Sequence, residues 1–585
     1  MMKRNHGRPD LLPRRSIGLV ISAGSLAALL LGATQAVAAP CESLTALALP
    51  DAEITLAQEV PAGSFTAPNG QVLTNLPAFC RIVGVSTPTS DSDINFEVWL
   101  PTSTWNGRYR QVGSTGFGGY IRYTGVTATS LSQSLRSGYA TAATDDGHVD
   151  PTTLNVSWAL GHPQKIVDYG YRALKETTDA AKAVITAYYG RGPDRSYFDG
   201  CSDGGREALI EAQRYPEDFD GILLGDPDIS ATDNAVAQAW QEQALTLNPA
   251  AFLPPSKLPA LAKAVLKQCA AREGLATDPF VNDPRDCHFD PAVIRCAGAD
   301  SDSCLTTAQV EAVRKIYSGP LDPRTGRSLF PGIEPGAEDT AASDGTGGWA
   351  SNLDTPPGKG NYATSYGIWA YMVADDPNFD IFTVKVPQGF DIAADAPVAG
   401  QTLASVLNAI DPDLHRFQRR GGKIIHYHGW ADPGIPPRTS ISYYESVIAA
   451  QGHEERGDDD DGQALEKTQD FYRLFMVPGM VHCNGGPGPN SFGNAQSPPP
   501  PVKDAEHDAM LALIQWVEQG IPPDRIIATH YVNHDSTQGI DMQRPLCPYP
   551  GVARYTGTGD TTNAANFVCV GDEPDRLATQ GHPDQ

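Results

Sequence analysis

Apolar residues in the first half of the chain recur at two spacings. Ile94, Phe96, Val98 and Leu100 alternate with other residues, which is the period of a strand. Arg108 opens another strand-like stretch that ends in the Gly-rich loop Gly113–Gly119, and the apolar run Tyr139–Thr144 stops at Asp145-Asp146-Gly147-His148. Lys165–Tyr189 is helical by pattern. Ser196–Phe198 reads as a short strand that turns at Gly200–Gly205, with a helix through Arg206–Arg214 and a further strand at Phe219–Gly225. This β-α-β alternation predicts an α/β fold with a mostly parallel sheet and helices on both faces.

From about 230 to 410 the pattern loosens, with four Cys, many Pro and Gly and few clear strands. Alternation returns with the strands Lys423–His428 and Phe471–Val477, a helix at Ala505–Gln519 and the strand Arg525–Val532. The economical organisation is one catalytic domain, 39–229 and 411–585, interrupted by a lid-like insertion over 230–410. The run Asp458–Asp461 does not alternate its acids as a calcium loop does, so it reads as a solvated loop; the last fifteen residues read as frayed.

Composition narrows the function classes. A net charge of −26 over 585 residues disfavours nucleic-acid binding, which needs surplus Lys and Arg. Lys3, Arg4, Arg8, Arg14 and Arg15 precede an apolar stretch, Ile17–Leu31, and then Ala36-Val37-Ala38. That order predicts an export signal over 1–38, cleaved after Ala38, and a secreted or periplasmic protein. The apolar stretch is short for an anchor, no later stretch suits a membrane helix, and nothing in the sequence sets an oligomeric state.

All ten Cys follow the cleavage site, which suits disulfides in an oxidising compartment. Neighbouring pairs suggest Cys269–Cys287, Cys296–Cys304 and Cys547–Cys569, and Cys41–Cys80 closes the segment after the signal. Cys201 and Cys483 remain, far apart in sequence.

Gly200-Cys201-Ser202-Asp203-Gly204 matches G-x-S-x-G between a predicted strand and a predicted helix, the setting in which a serine hydroxyl projects from the carboxyl end of a sheet. Serine needs a base, and His482 follows a predicted strand. The base needs an acid, and Asp432 follows another. The order Ser202, Asp432, His482 is that of α/β-hydrolases. His426 and His428 are rivals for the base; they alternate within a strand, share a face, and read as structural or substrate-facing. A Cys201–Cys483 disulfide ties nucleophile to base.

The Cys-Ser pair in Gly200–Gly205, the His-Cys pair at 482–483 and the triad order resemble the tannase and feruloyl esterase family, which includes hydrolases of mono(2-hydroxyethyl) terephthalate. Further similar stretches are Gly200–Gly221, Thr144–His148, Gly332–Glu338, His426–Pro437 and Arg544–Cys569. The resemblance implies an α/β-hydrolase fold with a large inserted lid domain and hydrolysis of esters of aromatic acids. It makes Ser202 the nucleophile, Asp432 the acid and His482 the base. The oxyanion hole then uses the backbone N–H of Asp203 and that of Gly116, with the Asp203 carboxylate expected to face solvent. The family's lid usually holds structural Ca²⁺ between two Cys. Here Cys269–Cys287 retains only Glu273, Asp278 and Asp283 as obvious side-chain ligands, so the disulfide is a candidate replacement for the ion and no cofactor is required.

The expected partner is a small feruloyl or galloyl ester. Trp349, Tyr362, Tyr366 and Trp369 are lid aromatics available to stack on its ring, or to pack in a core. A terephthalate monoester is an alternative that needs a cation for the distal carboxylate, for which Arg324 and Arg327 are not obviously placed. A polyphenol-binding protein on a hydrolase scaffold and a peptidase are the readings from other classes.

Overall fold

The computed structural model describes residues 39–125, 130–150, 152–273, 275–338, 348–353, 360–379, 391–452, 461–495 and 497–571. The proposed signal, the acidic positions 453–460 and the tail after 571 lie outside the described residues.

Among the described residues fifteen strands follow one another. They are β1 (Ala52–Val60), β2 (Gly63–Thr66), β3 (Val72–Leu76), β4 (Phe79–Ser86), β5 (Ile94–Pro101), β6 (Arg108–Val112), β7 (Ala140–Thr144), β8 (Arg195–Cys201), β9 (Gly221–Gly225), β10 (Lys423–Gly429), β11 (Tyr472–Val477), β12 (Ile526–Tyr531), β13 (Ile540–Leu546), β14 (Val552–Tyr555) and β15 (Phe567–Val570). A nine-stranded sheet has the order β1-β4-β5-β7-β6-β8-β9-β10-β11. Its first strands pair antiparallel, and from β7 through β11 every pairing is parallel. Strand β12, expected from the sequence, pairs antiparallel with β13 outside this sheet.

Period-two alternation sends successive side chains of the parallel strands into two different cores. Phe198, Ile222, Leu224, Ile424 and Leu474 lie on one face, with the helices Ala173–Tyr189, Asp203–Arg214 and Arg438–Gly452. Tyr197, Leu223, Ile425 and Phe475 lie on the other, with the helix Ala509–Gln519. Because both faces are covered, these strands read as nearly continuous apolar runs. Each large side chain so buried contributes on the order of 1.5–3 kcal/mol. The sheet thus fixes where the loops at its carboxyl edge begin.

Between β9 and β10 the described residues add helices and no strand of the main sheet. Leu245, Leu261, Val313 and Trp349 of this stretch share an apolar cluster with Ala431 and Val481. Ile368, Leu403 and Leu407 share another with Phe117 and Tyr169. Ala431 and Val481 immediately precede Asp432 and His482, so the helical stretch packs directly on the loops that carry those side chains.

Candidate active site

Strand β8 ends at Cys201, and the helix Asp203–Arg214 starts one residue after Ser202. Ser202 joins them at φ 67°, ψ −124°, a left-handed conformation that costs a non-glycine residue roughly 1–3 kcal/mol. Its neighbours are glycines because the turn leaves no room. A Cβ on Gly200 would strike the Gly204 carbonyl, and one on Gly204 would come within 2.8 Å of the Ser114 carbonyl oxygen. The hydroxyl is thereby turned out of the strand–helix junction.

The Ser202 hydroxyl donates to His482 Nε2 at 2.8 Å, and His482 Nδ1–H donates to Asp432 Oδ2 at 2.6 Å. Asp432 follows β10, His482 follows β11, and the two strands are parallel neighbours, so both loops emerge at the same edge. The other Asp432 oxygen accepts from the N–H groups of Gly434 and Ile435. Burial by itself would raise the Asp432 pKa, but the His482 charge and the bonds from His428 and His482 hold it below the ordinary carboxylate range. Burial alone would lower His482. The adjacent Asp432 charge outweighs that and raises it from 6.5 to about 9. His426 and His428 are fully buried and bond Ser440, Tyr472 and Ile435, not Ser202.

The disulfides are Cys41–Cys80, Cys201–Cys483, Cys269–Cys287, Cys296–Cys304 and Cys547–Cys569, the five expected pairs. Cys201 and Cys483 have their Cα atoms 6.1 Å apart, which links the turn of Ser202 to the loop of His482.

The Asp203 side chain departs from expectation. It is buried, not solvent-facing. Arg206 Nε donates to it at 2.6 Å, the Tyr169 hydroxyl at 2.8 Å and the Ser114 hydroxyl at 2.9 Å. The fully buried Arg206 compensates its charge. The spacing of three residues on one helix was a signal available in the sequence. Its backbone N–H belongs to the first turn of a helix, where no intrahelical partner exists. In the Gly113–Gly119 loop the N–H groups of Gly113, Ser114, Phe117, Gly118 and Gly119 already have acceptors. Among the described bonds of this loop, that leaves the N–H groups of Thr115 and Gly116. Gly116, at φ 62°, lets the loop fold closely over Thr153, and its carbonyl oxygen lies 3.4 Å from the same Tyr169 hydroxyl that binds Asp203.

The lid aromatics divide. Trp349 and Trp369 are each 1% exposed and belong to cores, so neither presents a face to a ligand. Packing against Tyr317 accounts for Trp349, and Trp369 donates its indole N–H to the Ala235 carbonyl. The Tyr366 hydroxyl donates to the Pro377 carbonyl, and the side chain of Tyr362 lies outside the described residues. Arg324 and Arg327 are exposed, with Arg324 paired to Asp322.

Two of the three expected calcium ligands already have cationic partners. Asp278 is buried against Arg544 at 2.8 Å and Asp283 against Arg285 at 2.5 Å, so arginines already neutralise both carboxylates. The side chain of Glu273 lies outside the described residues. The Cys269–Cys287 bridge closes this segment.

Sequence reasoning passed over Asp226, at the end of β9. It is fully buried, takes the left-handed φ of 39°, and accepts from the Gly429 N–H at 3.0 Å. Burial raises its pKa to about 7. Its position, an acid shortly after a strand and before Pro, is like that of Asp432 and was the available signal.

A mostly parallel sheet whose carboxyl edge joins a serine, a histidine and an aspartate places the chain in the α/β-hydrolase class. The family model described as tannase and feruloyl esterase matches residues 80–570. The chain belongs to the tannase and feruloyl esterase family and is a carboxylic ester hydrolase. It is 47% identical to an uncharacterized esterase of Xanthomonas campestris pv. campestris, over 92% of each chain. It is 31% identical to the mono(2-hydroxyethyl) terephthalate hydrolase of Piscinibacter sakaiensis, over 88% of each. The crystal structure of feruloyl esterase B from Aspergillus oryzae superposes with a TM-score of 0.78 at 27% identity, covering 91% of this chain and 99% of that one.

Proposed function

We propose that this protein is an exported serine esterase that cleaves esters of hydroxycinnamic or gallic acid through an acyl-enzyme. The observation that carries the reading is the hydrogen-bonded line Ser202–His482–Asp432. Ser202 Oγ attacks the ester carbonyl while His482 Nε2 takes its proton. Asp432 holds Nδ1–H and stabilises the imidazolium. The N–H groups of Asp203 and Gly116 receive the oxyanion, and the helix N-terminus behind Ser202 adds favourable field. His482 then protonates the departing alcohol, and the aroyl group stays on Ser202. Water, deprotonated by the same base, releases the acid and restores the serine. Every step uses side chains and backbone of the chain itself.

The acid moiety is inferred from relatives named for feruloyl esters and for mono(2-hydroxyethyl) terephthalate. Aromatic esters of the first kind are preferred because the two arginines considered for a distal carboxylate, Arg324 and Arg327, are exposed on the insertion. In this reading residues 230–410 form the lid, supported by their packing on Ala431, Val481 and Phe117. Export through residues 1–38, cleaved after Ala38, agrees with the five disulfides, which suit an oxidising compartment. No helix among the described residues is long and apolar enough to cross a membrane.

The test is hydrolysis of methyl ferulate, methyl gallate and mono(2-hydroxyethyl) terephthalate by the mature protein beside Ser202→Ala. Turnover of ferulate or gallate, lost in the variant, is expected. Turnover of the terephthalate ester alone would replace the substrate. Undiminished turnover by Ser202→Ala would overturn the mechanism.

A further inference from the structure

Behind the Ser202–His482–Asp432 line lies a second, fully buried chain of hydrogen bonds. The Tyr472 hydroxyl, on β11, lies 2.7 Å from His426 Nδ1. His426 Nε2 lies 2.9 Å from Ser440 Oγ, on the helix Arg438–Gly452. Ser440 Oγ lies 2.6 Å from His428 Nδ1, and His428 Nε2 lies 3.1 Å from the Ile435 carbonyl oxygen. A carbonyl only accepts, so Nε2 of His428 carries hydrogen and its Nδ1 accepts from Ser440 in the neutral ring. Ser440, having donated, accepts from His426 Nε2–H, and His426 Nδ1 accepts from Tyr472. Each group has a role, and burial holds the His426 ring neutral.

The His428 Nε2–H, bonded to the Ile435 carbonyl, also lies close to two carboxylates. Asp432 Oδ2 lies 3.4 Å away and Asp226 Oδ1 3.7 Å away. Asp432 Oδ2 is the oxygen that receives His482 Nδ1–H, while Oδ1 is held by two backbone donors. His428 therefore stands between two buried carboxylates and beside the oxygen on which the orientation of His482 depends. The groups facing His428 are Asp226 from β9, Asp432 and the Ile435 carbonyl from the loop after β10, and Ser440 from the helix. His426 is its partner on the same strand, through Ser440.

We propose that His428 is a positioning residue for ester hydrolysis: its ring, fixed by the Tyr472–His426–Ser440 chain, keeps the Asp432 carboxylate turned toward His482 and apart from Asp226. The inference rests on the reading of Ser202, His482 and Asp432 as the catalytic triad. It goes beyond that reading by assigning work to the two histidines that do not touch the serine. A hydrophobic replacement leaves two buried carboxylates with no donor between them. The amide of a glutamine extends about as far as Nε2 and restores one.

The experiment compares His428→Leu, His428→Gln and Ser440→Ala with the parent protein. Two readouts are used: the pH profile of kcat/KM for 4-nitrophenyl acetate, and the rate at which a fluorophosphonate labels Ser202. For His428→Leu a loss of kcat of at least ten-fold is expected, with KM within about two-fold and the acid limb of the profile moved to lower pH as His482 loses its oriented partner. His428→Gln is expected to regain most of the rate and the parent limb. Ser440→Ala, which removes only one small hydroxyl, is expected to reproduce the limb shift in milder form and covers the case in which the leucine variant fails to fold. An unchanged limb and labelling rate in Ser440→Ala and in any folded His428 variant would overturn the proposal, and so would equal impairment of the glutamine and leucine variants. If the parent itself labels at Ser202 but Asp432→Asn labels equally fast, the triad reading fails rather than this one.

Discussion

The Oγ of Ser202 lies 2.8 Å from Nε2 of His482, although 280 residues separate the two in the chain. Two structural links enforce the contact. Strands β8 and β11 belong to one parallel array, and the residues on either side of the pair, Cys201 and Cys483, are joined by a disulfide. Proximity of this kind is worth several kcal/mol when the bound geometry is near that of attack.

The first expected outcome concerns pH. His482 must be neutral to accept the serine proton, and its pKa is raised to about 9 by Asp432. The kcat/KM of a neutral ester should therefore rise with pH through about 9 and fall away below it. Stability runs the opposite way. A histidine raised above its ordinary 6.5 contributes stability fully present below that value and lost as pH rises through about 9. A pH–rate profile beside thermal melts at the same pH values checks both signs.

Asp432→Asn should keep the fold but remove the charge that orients and stabilises the imidazolium. A fall in kcat of about 10⁴-fold is expected, by analogy with the same change in a serine protease triad. The acid limb should move toward the ordinary histidine value. Steady-state kinetics across pH is the measurement, and a wild-type profile in the variant would exclude Asp432 as the acid.

Replacing Cys201 and Cys483 together by alanine should separate two effects of their disulfide. Loss of the cross-link is expected to lower stability by roughly 2–5 kcal/mol in urea unfolding. Loss of the tie between the two loops should lower kcat more than it raises KM. Variants in which Cys547–Cys569 is removed instead should show only the stability effect, because that bridge joins β15 to the residue after β13, away from Ser202 and His482.

Arg206→Ala leaves the Asp203 carboxylate buried beside Tyr169 and Ser114 without its counter-ion. Breaking a buried pair in this way costs about 3–5 kcal/mol. Asp203→Asn, which retains a polar group there, should cost less. Urea unfolding of the two variants gives the comparison, and equal stabilities would show that the pair does not hold the turn of Ser202.

Chelation should leave the protein unchanged. Asp278 and Asp283 are bound by Arg544 and Arg285, so neither carboxylate is available to a calcium ion. The melting temperature in EDTA and in millimolar calcium should coincide. A rise with calcium that Asp278→Asn abolishes would show that the arginine gives way to the ion.

What the sequence alone determined is whatever depends on near neighbours. Alternating apolar residues placed β5, and short apolar runs placed β7, β9, β10 and β11, within a few residues. The glycines around Ser202 marked a strand-to-helix turn, because only glycine tolerates that approach of backbone to backbone. Asp432 and His482 were legible because each follows an apolar strand. Local pattern also shows that 230–410 is different, but not what it builds. Its helices satisfy their packing against Phe117, Ala431 and Val481, partners remote in sequence. Tertiary structure alone decided the environment of the charges. Asp203 was expected in solvent, since its charge would oppose a nearby oxyanion, and it is buried because Arg206, Tyr169 and Ser114 converge on it from three segments. Asp226 and His428 acquire meaning only when β9 lies beside β10 and brings an aspartate from each strand end to the same imidazole. Hydrophobic period is written along the chain, whereas the cost of a buried charge depends on what the fold sets against it.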